Sequence, residues 1–265
     1  MKAKKSLGQN FLRDPKILRK IVDFARITKD DVVVEVGPGE GTLTKFLLEK
    51  ASRVIAVEKD NKLAGMLQEK FREEIIDNRL QIIVGDILDY KLKTINYKLI
   101  GNIPYYITGE IFRKFLESKN QPQSLTFVVQ KEVVERIMAR DGKESILSIS
   151  IKAYGTPDSP AGEGGVIKAG SFVPKPKVDS AVISIRDINK ERFKGITPPT
   201  PLTLRGGPEK RFFEILKKGF AHKRKVLANN LGVSKGTFDT LGIRDMARAE
   251  DLSVEDWFRL IKELS

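Results

Sequence analysis

Apolar residues along this chain recur with two periods, and the two periods alternate over most of its length. Residues 15–26 place them at helical spacing, opened by a capping Asp14 and by Pro15, an imino acid suited to a first helical turn. Val32-Val33-Val34-Glu35-Val36 is a nearly unbroken β-branched run, as a strand covered on both faces requires, and Gly37-Pro38-Gly39-Glu40-Gly41 closes it. A helix is predicted over 42–50. Strand-like runs return at 54–57, 80–84, 97–100 and 125–129, with helical segments at 61–76, 109–118 and 131–140. This alternation predicts an α/β fold with a mostly parallel, doubly wound sheet. Residues 178–185 alternate well enough to add an antiparallel strand at the end of that sheet.

The pattern changes near residue 190. Residues 155–165 read as a Gly/Pro/Ser loop, and residues 195–208 read as a linker whose prolines, glycines and threonines suit neither helix nor strand. Beyond it only helical periodicity remains, over 209–221, 223–231, 235–241 and 254–264. The expected division is an α/β domain over 1–190 and a small all-helical domain over 191–265.

Composition narrows the chemistry. The chain has 265 residues, of which 40% are hydrophobic, enough for a sizeable core. Its 48 Lys and Arg exceed its 35 Asp and Glu by 13, which points to a polyanionic partner, nucleic acid before a membrane surface. The absence of cysteine removes disulfides, thiolate metal sites and cysteine nucleophiles, and the single histidine, His222, excludes a multi-histidine metal centre. No apolar run is long enough to span a bilayer, and the basic start (Met1 to Gly8) lacks the apolar core of a signal peptide. A soluble cytoplasmic protein is expected, with a monomer as the default state and no metal.

The candidate chemistry sits at strand ends. Asn102-Ile103-Pro104-Tyr105 follows the apolar run 97–100. A carboxamide oxygen and the Pro104 carbonyl can accept hydrogen bonds from the exocyclic amine of a nucleobase, while Tyr105 stacks on the ring. Acceptors placed where positive charge develops lower a barrier without a strong base. The bland alternative is a turn with a helix cap. Gly37-x-Gly39-x-Gly41 lets backbone approach a ligand closely, but a dinucleotide fingerprint would need its third glycine at Thr42. Glu35-x-Gly37-x-Gly39-x-Gly41 instead resembles the first motif of S-adenosylmethionine-dependent methyltransferases. Glu58 closes the second strand, where an acid can accept from both ribose hydroxyls, and Asp86 follows the third, placed to accept from an adenine amine.

Three further segments complete a resemblance: Ser6-Leu7-Gly8-Gln9-Asn10-Phe11-Leu12, Phe172-Val173-Pro174-Lys175-Pro176-Lys177-Val178-Asp179-Ser180, and Gly219-Phe220-Ala221-His222-Lys223-Arg224-Lys225-Val226-Leu227. With Asn102-Ile103-Pro104-Tyr105 they closely resemble the ribosomal RNA adenine N6,N6-dimethyltransferases, and within them the bacterial small-subunit (16S) type associated with kasugamycin sensitivity. The resemblance implies a Rossmann-like class I methyltransferase domain, S-adenosyl-L-methionine as cofactor, and dimethylation of two adjacent adenines near the 3′ end of 16S rRNA. It implies that Gln9, Asn10 and Leu12 close over the cofactor, beside Gly37, Gly39, Glu58, Asp86 and Asn102. Phe172 is expected to face the target base opposite Tyr105. The chain departs from the family in its 195–208 linker and at Ala221-His222, where Ser-Gln is the more usual pair.

Basic residues cluster between Arg205 and Lys225, and Arg211, Lys217, Lys218, Lys223, Arg224 and Lys225 are expected to contact RNA phosphates from the first two helices of the small domain. Small residues near Gly101 are expected to leave room for the monomethylated amine to rotate. Three rivals stand beside this reading: the sister family that dimethylates a large-subunit adenine and confers macrolide resistance, a non-catalytic ribosome-assembly factor, and a DNA adenine methyltransferase. The last usually carries Asp-Pro-Pro-Tyr where this chain has Asn102-Ile103-Pro104-Tyr105.

Overall fold

The computed structural model describes residues 9–160, 165–196, 207–234 and 236–264. Most of the expected 195–208 linker, with Arg205, lies outside them, as do Ser6, Leu7, Gly8, part of the 155–165 loop, and Lys235 at the start of an expected helix. The chain divides into two compact units, Met1–Val134 with Pro157–Ile188, and Glu135–Thr156 with Asn189–Ser265. The second unit joins Asn189–Ser265 with Glu135–Thr156, whereas the sequence predicts a single boundary near residue 190.

The strands are β1 (Phe11–Leu12), β2 (Val32–Val36), β3 (Arg53–Glu58), β4 (Leu80–Val84), β5 (Tyr97–Asn102), β6 (Ser124–Gln130), β7 (Thr156–Asp158), β8 (Val166–Ile167), β9 (Phe172–Val173) and β10 (Ser180–Arg186). The helices are α1 (Pro15–Phe24), α2 (Thr42–Lys50), α3 (Asn61–Lys70), α4 (Arg72–Ile76), α5 (Thr108–Glu117), α6 (Lys131–Met138), α7 (Ile146–Lys152), α8 (Gly207–Gly219), α9 (Leu227–Leu231), α10 (Gly236–Thr240) and α11 (Val254–Glu263).

The main sheet runs β4-β3-β2-β5-β6-β10-β7, with β8 also on β10. Strands β2 to β6 pair in parallel, and β10 runs antiparallel to β6. The antiparallel strand is therefore present, but inside the sheet rather than at its end. The short β7 beyond it contains Pro157, which suits an edge and leaves no alternation to recognise. Val33, Val34, Val54, Leu99, Ile100, Phe127 and Val129 are fully buried, as expected where helices cover both faces.

Register is what positions the site. Val36 on β2 pairs with Val57 on β3 and Gly101 on β5, so Gly37, Glu58 and Asn102 come off the same edge of the sheet. That edge, at the carboxyl ends of parallel strands around a switch in strand order, is where ligands bind in such folds. Asp14 caps α1 as expected, accepting from the Lys16 and Ile17 N–H groups. The predicted helix over 61–76 is two helices, broken at Phe71 (φ −115°, ψ 35°). The Phe71 ring packs so closely on Gly41 that a Cβ there would lie 2.5 Å away.

In the second unit, Phe193, Phe212 and Phe258 form an aromatic cluster with centroids 4.6 to 5.5 Å apart. Trp257 and Leu227 pack directly on Gly219. A capping box from Ser253 and Asp256 opens α11.

Candidate active site

A cleft at the carboxyl edge of the sheet is lined by Gln9, Asn10, Phe11 and Leu12, by the glycine turn, by Glu35, Glu58, Lys59, Asp86 and Ile87, and by Asn102 to Ile107. All of these belong to the first unit. The structure thus brings together every expected cofactor residue.

The turn after β2 needs glycine for two reasons. Gly37, Gly39 and Gly41 have φ of +61°, +59° and +72°, a region other residues rarely adopt. A Cβ on Gly39 would lie 2.8 Å from the Phe11 ring, whereas one on Gly37 would meet nothing within 4 Å. The turn is therefore packed on one side and open on the other. Glu58, 5% exposed, accepts the Gly39 N–H at 3.0 Å and the Asp60 N–H at 2.8 Å, which ties the acid to the turn. Burial raises its carboxyl above the usual range, against those two bonds.

Glu35 lies beside it, 1% exposed, and takes a 2.6 Å hydrogen bond from the Thr44 hydroxyl. Burial pushes its carboxyl up to about 8, and repulsion from Glu58 adds to the rise. Asp86 accepts the Leu88 N–H at 2.9 Å and the Lys59 ammonium at 2.7 Å. Partial burial would raise this carboxyl, but Lys59 and the Leu88 N–H prevail and hold it below the ordinary value.

The segment ahead of α1 covers the cleft. It is held by antiparallel pairing of Phe11 with Val173 and Leu12 with Phe172, and by the Thr42 hydroxyl donating to the Leu12 carbonyl at 2.9 Å. It is also held by Asn102, whose Nδ2 donates to the Asn10 carbonyl at 2.7 Å. One of its two amide N–H groups is so engaged, which orients the Asn102 side chain and leaves Oδ1 as an acceptor for a ligand. The Pro104 carbonyl accepts the Ile107 N–H at 3.1 Å and keeps a second lone pair. Tyr105 is half-buried, with its hydroxyl 2.8 Å from the Ser180 hydroxyl, which ties the ring to the start of β10.

Three expectations need correction. Phe172 is 3% exposed, belongs to the core beside Leu12, and does not line the cleft, so it presents no face to a base. Its short strand turns the ring inward, where burial of a large apolar surface is favourable. Gly101 does not leave room for a rotating amine either: a Cβ there would lie 2.7 Å from the Val36 carbonyl and 3.1 Å from Ile103, inside the sheet. The basic cluster is not wholly helical, because Lys223, Arg224 and Lys225 lie in an exposed turn ahead of α9.

Within that cluster Arg211 donates to the Leu264 carbonyl at 3.2 Å and Lys218 to the Leu231 carbonyl at 2.6 Å, so both satisfy helix C-termini. Lys217, like the cations of the turn, is exposed. Among the described residues no group of three or more His, Asp or Glu could hold a metal ion.

Phe11, Lys59, Ile87 and Tyr106 line the cleft without being singled out by the sequence, and Glu35 reads there only as the opening of the glycine motif. Glu35 did leave a signal, as the one charged residue in a strand of valines. Tyr106, 60% exposed, left none beyond its neighbour.

The fit to a nucleoside carrying a cationic amino-acid tail follows from these groups. An open glycine turn admits its tail, and Glu58 and Asp86 offer acceptors for ribose and base. Fold and cleft together define a Rossmann-like class I methyltransferase, with S-adenosylmethionine as its cofactor. The sequence profile of the family described as ribosomal RNA adenine dimethylase matches residues 1–265, and the chain belongs to that family.

Among its relatives, ribosomal RNA small subunit methyltransferase A of Dehalococcoides mccartyi is 40% identical over 276 residues, spanning 99% of this chain and 89% of the relative. The protein of the same name from Fusobacterium nucleatum is 36% identical, spanning 98% and 97%. The solved structure of the 23S rRNA methyltransferase ErmE superposes with a TM-score of 0.75 at 26% identity, covering 96% of this chain and 99% of that one. A dimethyladenosine transferase from Plasmodium falciparum shares the fold, with a TM-score of 0.79 at 23% identity over 94% of this chain and 95% of that one.

Proposed function

We propose that this protein dimethylates N6 of two adjacent adenines near the 3′ end of small-subunit (16S) rRNA during biogenesis of that subunit. The observation that carries the reading is the Asn102 amide, whose nitrogen donates to the Asn10 carbonyl and so orients the group with Oδ1 left to receive an amine. Relatives at 40% identity over 99% of the chain carry the small-subunit name, which supports that target over the large subunit.

When bound, S-adenosylmethionine supplies an electrophilic methyl on its sulfonium. Gln9, Asn10, Leu12, Gly37, Gly39, Glu58 and Asp86 would hold the cofactor, with Glu58 serving the ribose and Asp86 the adenine. Asn102 Oδ1 and the Pro104 carbonyl take the two N–H groups of the target amine and fix its lone pair toward the methyl. The same oxygens meet the positive charge that develops on N6, and the Tyr105 ring adds its face. A methylated aryl ammonium is acidic enough to release its proton to water.

Lys217, Lys223, Arg224 and Lys225 bind RNA phosphates and contribute affinity rather than sequence reading. The protein acts as a cytoplasmic monomer; no helix among the described residues is long and apolar enough to cross a membrane.

Tritium transfer from labelled S-adenosylmethionine into unmethylated small subunits, with mass mapping of the nucleosides, tests this reading. N6,N6-dimethyladenosine at two neighbouring 3′-end positions is expected. Label in large-subunit RNA alone would overturn the target, and tight subunit binding without transfer would make the protein an assembly factor.

A further inference from the structure

The segment that covers the cleft also holds the Asn102 amide. The Asn102 amide is oriented by one bond, Nδ2 to the Asn10 carbonyl at 2.7 Å, and Asn10 lies on that covering segment. Three residues further on, Arg13 makes a two-pronged ion pair with Glu40, Nε to Oε2 at 2.8 Å and Nη2 to Oε1 at 2.6 Å. Glu40 is the residue between Gly39 and Gly41, so the pair fastens the covering segment to the glycine turn itself. The Phe11 ring lies against Gly39 between these two attachments. The Lys70 ammonium donates to the Glu40 carbonyl at 2.7 Å, which steadies the Glu40 end of the pair.

We infer that Arg13 and Glu40 are positioning residues: their ion pair sets the Asn10 carbonyl, and through it the Asn102 acceptor, and so governs the second methyl transfer more than the first. The inference rests on the function proposed above. The unmethylated amine has two N–H groups and can be held by both Asn102 Oδ1 and the Pro104 carbonyl. The monomethylated amine has one N–H, so a single acceptor must orient its lone pair. If the Asn10 carbonyl shifts, the amide loses the bond that orients it and Oδ1 is no longer held toward the base. The first transfer retains the Pro104 carbonyl as a guide, whereas the second loses its most exacting contact.

A bidentate arginine–carboxylate pair suits this task because its planar fork fixes direction as well as distance. Arg13 is half-exposed, so the pair adds little to folding and its loss leaves the fold intact.

The test compares wild type, Arg13→Met, Arg13→Glu, and Arg13→Glu combined with Glu40→Arg, on unmethylated small subunits at saturating S-adenosylmethionine. N6-methyladenosine and N6,N6-dimethyladenosine are quantified by mass spectrometry over time, and S-adenosylhomocysteine affinity is measured alongside. The expected result is a fall of about two- to fivefold in the second transfer relative to the first for Arg13→Met, with monomethyl product accumulating. Arg13→Glu is expected to be worse, and the charge-swapped pair to recover the wild-type product ratio. A weaker cofactor affinity with an unchanged product ratio at saturation would overturn the inference, since the segment would then only cover the cofactor. Failure of the swap to recover the ratio would overturn it too. A wild-type protein that makes no dimethyladenosine would instead sink the functional reading, so the two failures are told apart by the wild-type lane.

Discussion

The cleft at the carboxyl edge of the sheet and the basic turn ahead of α9 are built in opposite ways. In the cleft the key side chains are already held: Asn102 by the Asn10 carbonyl, Tyr105 by Ser180, Glu58 by two backbone N–H groups. In the turn Lys223, Arg224 and Lys225 stand exposed. The difference follows from what each must do. Stabilising charge on one nitrogen requires acceptors fixed in advance, because their reorganisation would cost what they contribute. Neutralising phosphates requires only charge nearby, and flexible side chains suffice.

The sharpest break of this contrast is at Asn102. Asn102→Ala is expected to lower kcat by roughly 10²–10³-fold while changing S-adenosylhomocysteine affinity only a few-fold, measured by steady-state kinetics and calorimetry. A loss confined to cofactor affinity would move Asn102 out of the chemistry.

The next effect concerns Glu35. Burial pushes its carboxyl up to about 8, while the unfolded chain releases that proton near the ordinary glutamate value of about 4.3. Between those values the folded state keeps a proton that the unfolded state has lost, so stability falls as pH rises through this window and levels off above it. Glu35→Gln is expected to remove that fall and to exceed wild type by roughly 2–4 kcal/mol at pH 9, read from urea denaturation at several pH values. Parallel curves for the two proteins would mean that Glu35 ionises freely.

Gly101→Val tests whether tight packing or open space occupies that part of the sheet. With the Val36 carbonyl 2.7 Å from the added Cβ, a cost of about 1–3 kcal/mol in stability is expected, with the monomethyl-to-dimethyl ratio unchanged. A shifted ratio without a drop in melting temperature would restore the idea of a methyl-sized space there.

On the other side of the comparison, changing Lys223, Arg224 and Lys225 together to alanine is expected to raise KM for subunits about tenfold with kcat unchanged, and to flatten the salt dependence of KM. Lys218→Met should do the reverse on a smaller scale. It removes the cap on the Leu231 carbonyl and costs about 1 kcal/mol of stability, but leaves the salt dependence alone.

How far the sequence reached depended on whether a feature was local. The Asp14–Pro15 helix start, the glycine turn and the acids at strand ends are short-range patterns, and all stand in the structure where their spacing put them. Most of what stayed hidden was non-local. The pairing of β1 with β9 joins two two-residue segments far apart in the chain, too short for any period to show. Helix α7, Ile-Leu-Ser-Ile-Ser-Ile-Lys, alternates like a strand and is decided by the capping box of Ser145 and Ser148. The cation cluster read as one patch because sequence shows charge but not partners, and two of its members serve as helix caps. Phe172 read as a site residue because a motif surrounds it, whereas the fold gives its ring to the core.

The central claim is that the cleft holds an acceptor aimed in advance, and Asn102→Asp tests it most directly. Aspartate keeps an oxygen in nearly the same place but replaces the donor to the Asn10 carbonyl with a second oxygen, which that carbonyl repels. Single-turnover methyl transfer to unmethylated small subunits at saturating S-adenosylmethionine should fall about as far as in Asn102→Ala, on the order of a hundredfold or more. A variant that transfers methyl at close to the wild-type rate would show that any oxygen near the amine suffices, and the account of an acceptor set by the Asn10 carbonyl would be wrong.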